Sequence, residues 1–273
     1  IEITSSDFYD NAAGINGGAV FTTDSPLILD ASAFFENTAE LGGAVYGELN
    51  DQTITASHFE DNVAGNLGGG VYVRDGGFLY LEGSTFENNV ADTLAGGLRV
   101  LFGAAELLNN GFTGNVATEQ GGGVAVQESQ ITVRNATFEG NAGTYGGGAY
   151  LLDSTWEVSE STFCDNTAAT SGADGGGLFG EGGDGYLADS IFLENFAFDE
   201  GGGAGFALGT YEVINNTFAG NTASRASGAL DLDDATAMVK NNLIAFSDGP
   251  GDAVERDAVS GFANYFWFFD NLA

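Results

Sequence analysis

The chain has 273 residues, of which 39 are acidic and 6 basic, for a formal net charge of −33. Charge of that sign excludes nucleic-acid binding by counterion release, a single cysteine excludes an internal disulfide framework, and no apolar run is long enough for a membrane-spanning helix. Glycine fills 44 positions without the three-residue period of collagen, and 43% hydrophobic residues with 22 Phe carry too much apolar mass for a solvated coil.

From the N-terminus, Ile1 and Ile3 alternate just before Phe8, and Phe8 opens a pattern, Phe-x-x-Asn, that recurs along the chain. It is found at Phe8/Asn11, Phe34/Asn37, Phe59/Asn62, Phe86/Asn89, Phe112/Asn115, Phe138/Asn141, Phe163/Asn166, Phe192/Asn195 and Phe218/Asn221, with spacings of 25–29 residues. A gap of 50 residues then separates Asn221 from Asn271 of Phe268/Asn271, and Ile244 and Ser247 stand in the skipped register. Each motif is followed by a glycine cluster, from Gly17–Gly18 to Gly201–Gly203, and then by a short β-prone run such as Val71–Val73. Before the next Phe comes a strand whose apolar residues alternate, as in Leu27/Leu29, Leu79/Leu81 and Ile131/Val133. Period two means half-buried strands, and no segment carries the 3.6-residue period of a helix.

A unit of about 26 residues with three short strands and tight turns buries its apolar side chains only by stacking on its neighbours. The repeat therefore predicts an all-β fold, a single-stranded right-handed parallel β-helix of about 11 coils of about 26 residues. One solenoid domain is expected over 1–273, with 248–273 an irregular last coil or cap. The chain starts and stops in phase with the repeat, which predicts a fragment of a longer solenoid or a processed chain, with further domains in a longer parent.

The repeated residues have structural readings. Phe34, Phe59, Phe86, Phe112, Phe138, Phe163, Phe192 and Phe218 are expected to stack inside as a ladder. Asn37, Asn62, Asn89, Asn115, Asn141, Asn166, Asn195 and Asn221 are expected at turns, where Asn tolerates left-handed geometry and can bond along the stack. Two residues before each Phe runs a polar column, Ser32, Ser57, Ser84, Asn110, Ala136, Ser161, Ser190, Asn216 and Asn242, which reads as a second ladder near a corner.

Gly-Gly followed by a small residue and a hydrophobic one, alternating with Phe-x-x-Asn, resembles the repeats of the chlamydial polymorphic outer membrane proteins and of bacterial parallel β-helix proteins more widely. Gly17-Gly18-Ala19-Val20 with Phe34 and Asn37, and Gly42-Gly43-Ala44-Val45 with Phe59 and Asn62, carry the resemblance. It implies a right-handed β-helix and a surface-exposed passenger that adheres or presents surface. The family's membrane β-barrel has no counterpart in this sequence.

Function is read less directly. The residue after the inward position of each glycine-led strand forms an outward column, and Phe21, Tyr46, Tyr72 and Arg99 make it a candidate stripe for carbohydrate or a surface protein. The competing structural reading is that a loop covers it or that cross-strand pairing explains it. His58, Tyr72, Arg74 and Arg99 make a loose candidate patch. Glu36 with Asp61 and Asp165 with Glu194 place carboxylates on adjacent coils, near the spacing a glycosidase needs, but a catalytic acid needs burial and these positions read as exposed corners. Calcium is the one cofactor the composition suggests, with Asp174, Asp184 and Asp189 flanking the most irregular coil and Asp231, Asp233 and Asp234 clustered. Cleft-building loops are short throughout, which argues against catalysis. The reading is a non-catalytic secreted or cell-surface module with an adhesive, scaffold or spacer role, in a saline setting that suits one lysine against 39 acids. The alternatives are a carbohydrate-active β-helix, lyase or hydrolase, and a calcium-stabilised structural repeat.

Overall fold

The computed structural model describes residues 1–257 and, for its backbone, the strand Asn264–Phe269. The chain is a parallel β-solenoid of about 10 turns, and no helix occurs among the described residues. Every strand pairing is parallel and links a residue to its equivalent one coil on, as in Phe59↔Phe86 and Phe86↔Phe112.

One coil shows the plan. A glycine-led strand, Val71–Arg74, turns at Asp75; a second strand, Phe78–Glu82, turns at Gly83; a third, Thr85–Glu87, carries the ladder Phe; after Asn88 a two-residue fourth strand, Val90–Ala91, leads to the next glycine cluster. Four strands, not three, make each coil, because the residues after the Asn pair with their own equivalents in a separate eight-stranded sheet. Each corner carries a residue in the left-handed region, here Asp75 (φ 62, followed by Gly76 at φ 87), Gly83 (φ 59), Asn88 (φ 53) and Ala95 (φ 60). Only the last of the four corners is dominated by glycine along the stack; the others are made largely by Asp, Asn and Glu, which visit that region more readily than most side chains.

The core follows from the inward half of each alternation. Phe8 through Phe218 stack face to face with ring centroids 4.5–5.0 Å apart, and the ladder continues onto Ile244, the register partner of Phe218. The Asn three residues later is not the left-handed residue. Its side chain points inward, is fully buried from Asn37 to Asn221, and bonds along the stack. Asn37 Nδ2 donates to Asn62 Oδ1 at 2.9 Å and to Phe8 O at 3.1 Å, while Asn62 Oδ1 also accepts from the Asn37 backbone N–H at 3.0 Å. The corner left-handed residue is the one before it, Glu36, Asp61 or Asn88.

The serine column is a second ladder. The Ser32 backbone N–H donates to Ser57 Oγ at 3.2 Å and that of Ser57 to Ser84 Oγ at 3.1 Å, with Asn110, Asn216 and Asn242 substituting an amide oxygen. Both ladders satisfy buried backbone donors at corners where the sheet hydrogen bonds are interrupted. Beyond the ladder's skipped beat, Val254–Asp257 pairs with Leu230–Asp233, and Asn264–Phe269 pairs with the strand ending at Ala245. Asn271, expected in the repeat, and the side chains beyond 257, in the stretch expected as an irregular last coil or cap, lie outside the described residues.

Candidate functional site

The outward column of the glycine-led strand is continuous in register: Phe21, Tyr46, Tyr72, Arg99, Ala125, Tyr150, Phe179, Gly205, Asp231 and Glu255. It is mostly closed over. Tyr46, Tyr72 and Arg99 are 1–2% exposed, and only the two ends reach solvent, Phe21 at 47% and Glu255 in part. The turn leading into each glycine cluster lies against this face and stacks as its own half-buried column, Leu41, Leu67, Leu94, Gln120, Tyr145, Asp174 and Glu200, joined through backbone hydrogen bonds one coil apart. Tyr145 shows the contact directly, its ring 5.5 Å from Phe179 and 6.4 Å from Tyr150. The alternation expects Tyr46 and Tyr72 at solvent; the covering turn puts them in a narrow second core, where Tyr46 meets Tyr72 edge-on at 5.3 Å.

This second core changes character along the rod. In its middle, Arg99 is buried without a carboxylate partner; it donates to Gln127 Oε1 at 2.7 Å, and desolvation lowers its pKa to about 10. Toward the C-terminal end it becomes acidic. Asp231 follows Gly205 in the outward column and is 5% exposed, and burial together with Glu200, Asp174 and Glu255 raises its pKa to about 8. Asp174, in the covering turn, is raised to about 7 by burial and then by Glu200. Both groups bind a proton more tightly folded than unfolded, so their contribution to stability is fully present below the ordinary carboxylate range and is lost as pH rises toward 8. Asp231→Asn is therefore expected to melt close to the native chain at about pH 4.5 and to be more stable by about 2 kcal/mol at about pH 8. Thermal melts at both pH values check it; an equal offset at the two would contradict the assignment.

The other expected groupings are placed apart. Asp184 lies exposed on a second strand and Asp189 at the following corner, far round the coil from Asp174 in its covering turn. Asp233 and Asp234 lie at the exposed corner beyond Asp231. Neither aspartate trio gathers as a shared ligand set among the described residues. Tyr72 and Arg99 are register partners and Arg74 lies on the same strand as Tyr72, paired with Asp75 at 2.6 Å and 3.8 Å from Glu48, but Tyr72 and Arg99 are buried and His58 sits apart on the third strand, so the four form no common surface patch. Glu36, Asp61, Asp165 and Glu194 are exposed corner residues. A shallow shelf of about 750 Å³ runs past Phe102, Glu128, Gln130, Asp153 and Thr155, without opposing walls of a cleft.

Sequence reasoning passed over one surface. The third strands are Asp7–Tyr9, Ala33–Phe35, His58–Glu60 and Thr85–Glu87, and their outward residues flank the ladder Phe on both sides. Tyr9 stacks on Phe35 with centroids 4.8 Å apart and planes 10° off parallel, and Tyr9 is 60% exposed. The Phe35 ring meets the His58 imidazole at 5.4 Å. His58 Nε2 lies 3.1 Å from Glu60 Oε2, and its Nδ1 lies 2.6 Å from Thr85 Oγ1 and 4.0 Å from Glu87 Oε1. An aromatic platform thus adjoins the chain's one histidine and two glutamates on a flat face. The signal was available: residues one before and one after each ladder Phe must form two outward columns.

No known family model matches the chain. No curated protein matches it in sequence either. Two solved structures are similar to it in fold. A surface adhesin of Streptococcus pneumoniae, PfbA, is 11% identical with a TM-score of 0.39, over 98% of this chain and 85% of the adhesin. The A-module of a mannuronan C-5 epimerase of Azotobacter vinelandii is 11% identical with a TM-score of 0.27, over 100% of this chain and 90% of that module. No helix among the described residues is long and apolar enough to cross a membrane.

Proposed function

We propose that the chain is a non-catalytic adhesive rod, secreted or held at the cell surface, that binds neutral glycan through the face bearing Tyr9 and Phe35. The observation that carries this reading is the stacked pair on a flat sheet, Tyr9 exposed and Phe35 half-buried, bordered by His58, Glu60 and Thr85. Aromatic faces pack against the C–H faces of sugars, and nearby carboxylates and imidazole accept from hydroxyls. A net charge of −33 disfavours anionic glycans over most of the surface. The repeat's resemblance to surface passengers supports the setting.

A second reading, a carbohydrate-active β-helix, is favoured by Asp174 and Asp231, which hold protons near neutral pH as a general acid must. Asp231 sits beneath the covering turn and Asp174 belongs to that turn, both away from any open cleft, which is why it ranks second. A glycan array with parallel assays for released and unsaturated sugars separates the two. Tyr9→Ala and Phe35→Ala are each expected to weaken binding about tenfold, the loss of one favourable ring contact. Binding that survives both substitutions, or turnover abolished by Asp174→Asn or Asp231→Asn, would overturn the adhesive reading.

A further inference from the structure

We propose that His58, Glu60 and Glu87 form a binding site for a divalent first-row transition-metal cation, with zinc the best fit to its donors. The three side chains each offer one ligand atom, and these atoms lie within 4.8 Å of one another. The backbone builds the group rigidly. His58 and Glu60 are two apart on one strand and share its outward face, and Glu87 is the register partner of Glu60 on the next coil.

The distances suit the ion. Ligands at about 2.0–2.2 Å in a tetrahedral shell stand about 3.3 Å from each other. His58 Nε2 and Glu60 Oε2 are already 3.1 Å apart. Thr85 Oγ1, 2.6 Å from Nδ1, is placed to accept a proton from that nitrogen in the tautomer that leaves Nε2 free to ligate. A ligating histidine whose other nitrogen is held by an oxygen is the usual arrangement, because it fixes the tautomer and the ring plane. Glu87 Oε1 stands 4.0 Å from Nδ1, and a rotation of its side chain toward Nε2 would complete the set. The fourth position faces solvent, as the side chains are 30%, 35% and 43% exposed.

The donor chemistry separates this place from the acidic coat. Imidazole with two carboxylates suits zinc and its neighbours, whereas calcium and magnesium prefer oxygen donors alone. Two carboxylates balance the charge of the ion, and the Phe35 ring shields one side of the imidazole from water. The site stands whether or not the neighbouring rings bind glycan, and its test uses no sugar.

The test is zinc titration of the full chain in excess magnesium, which saturates the diffuse acidic atmosphere. With one histidine in the sequence, the ring signals in a nitrogen–proton NMR spectrum belong to His58 without assignment. One equivalent of zinc is expected to move them, and calorimetry is expected to show one site. His58→Gln, Glu60→Gln and Glu87→Gln should each weaken that site tenfold or more. Glu139→Gln, in the same outward column two coils beyond Glu87, should leave it unchanged. Ring signals that stay in place through one equivalent, or glutamine variants that bind as the native chain does, would overturn the proposal. Because the ring readout uses the native chain, it holds even where a variant folds poorly.

Discussion

Replacing Gly122 by alanine is expected to destabilise the protein by about 4 kcal/mol or more, and replacing Gly14 by alanine to change it by less than about 0.5 kcal/mol. The difference is one of place. A Cβ on Gly122 would stand 2.5 Å from Ala142 N, Ala142 O and Gly147 O, all of them backbone of the following coil. Backbone atoms locked in a parallel ladder cannot swing aside as the end of a side chain does, so the coils would have to part. Parting them breaks ladder hydrogen bonds and opens the Phe stack on the same turn. A Cβ on Gly14 meets nothing within 4 Å. Gly18, Gly43, Gly69, Gly96, Gly147, Gly176, Gly202 and Gly228 share the constraint, with neighbouring backbone 2.1–2.5 Å from the added carbon. Urea unfolding of the two variants checks the contrast, and a Gly122→Ala protein with native stability would mean that the coils are not held at this spacing.

Each position of the triple glycine has its own cause, and only one of the three could be seen from the sequence. Gly121, with φ +65, makes the corner, as the motif suggests. Gly122 is excluded from having a side chain by the fourth strand of the next coil, and that strand, two residues long, has too little alternation to register as a strand. Gly123 lies between the next coil's backbone and the ladder, where a Cβ would stand 2.6 Å from Gly148 O and 3.2 Å from Phe138 Cδ1. The Phe and Asn ladders were legible because a fixed period carries them past every local irregularity. The closure over Tyr46 and Tyr72 was legible only as one of two open alternatives, because alternation describes one strand at a time and cannot report a turn folding over its outer face. A trace of that cover is present in Leu41, Leu67 and Leu94, which hold a constant place at the glycine cluster of each coil. The group at His58 needed only the register rule, since His58, Glu60 and Glu87 are all neighbours of a ladder Phe.

The acidic composition reads differently once the corners are known. Asp24, Asp61, Asp75, Asp153, Asp165, Asp189 and Asp234 are all left-handed corner residues, so part of the charge comes from a backbone need that short polar side chains meet. Where corner acids do stack one coil apart, as in Glu36 with Asp61, Glu128 with Asp153 and Asp165 with Glu194, like charges repel along the rod. That repulsion tolerates solvent and salt at the corners, but it has no such relief at Asp231, where burial shifts the proton equilibrium instead.

Asn115→Leu is expected to cost about 4 kcal/mol, against less than about 1 kcal/mol for Asn11→Leu. Asn115 Oδ1 accepts from the Asn89 backbone N–H at 3.0 Å and from Asn89 Nδ2 at 2.9 Å. Its own Nδ2 donates to Phe86 O at 2.9 Å and to Asn141 Oδ1 at 3.0 Å. Leucine matches the volume but strands two donors of Asn89 in a fully buried corner, each at a desolvation cost of about 1–3 kcal/mol. Asn11 stands at the first rung. It donates to Asn37 Oδ1 at 2.8 Å from a partly exposed position, and no preceding rung bonds to its oxygen among the described residues, so its loss strands nothing. The comparison separates the ladder's worth from the general effect of placing leucine at this position in the repeat. Stacked repeats can open locally, so urea unfolding should be read together with amide exchange at Asn89, which the leucine leaves unbonded. Equal costs at the two rungs would show that the amide column acts by filling space rather than by completing the hydrogen bonds of the corner.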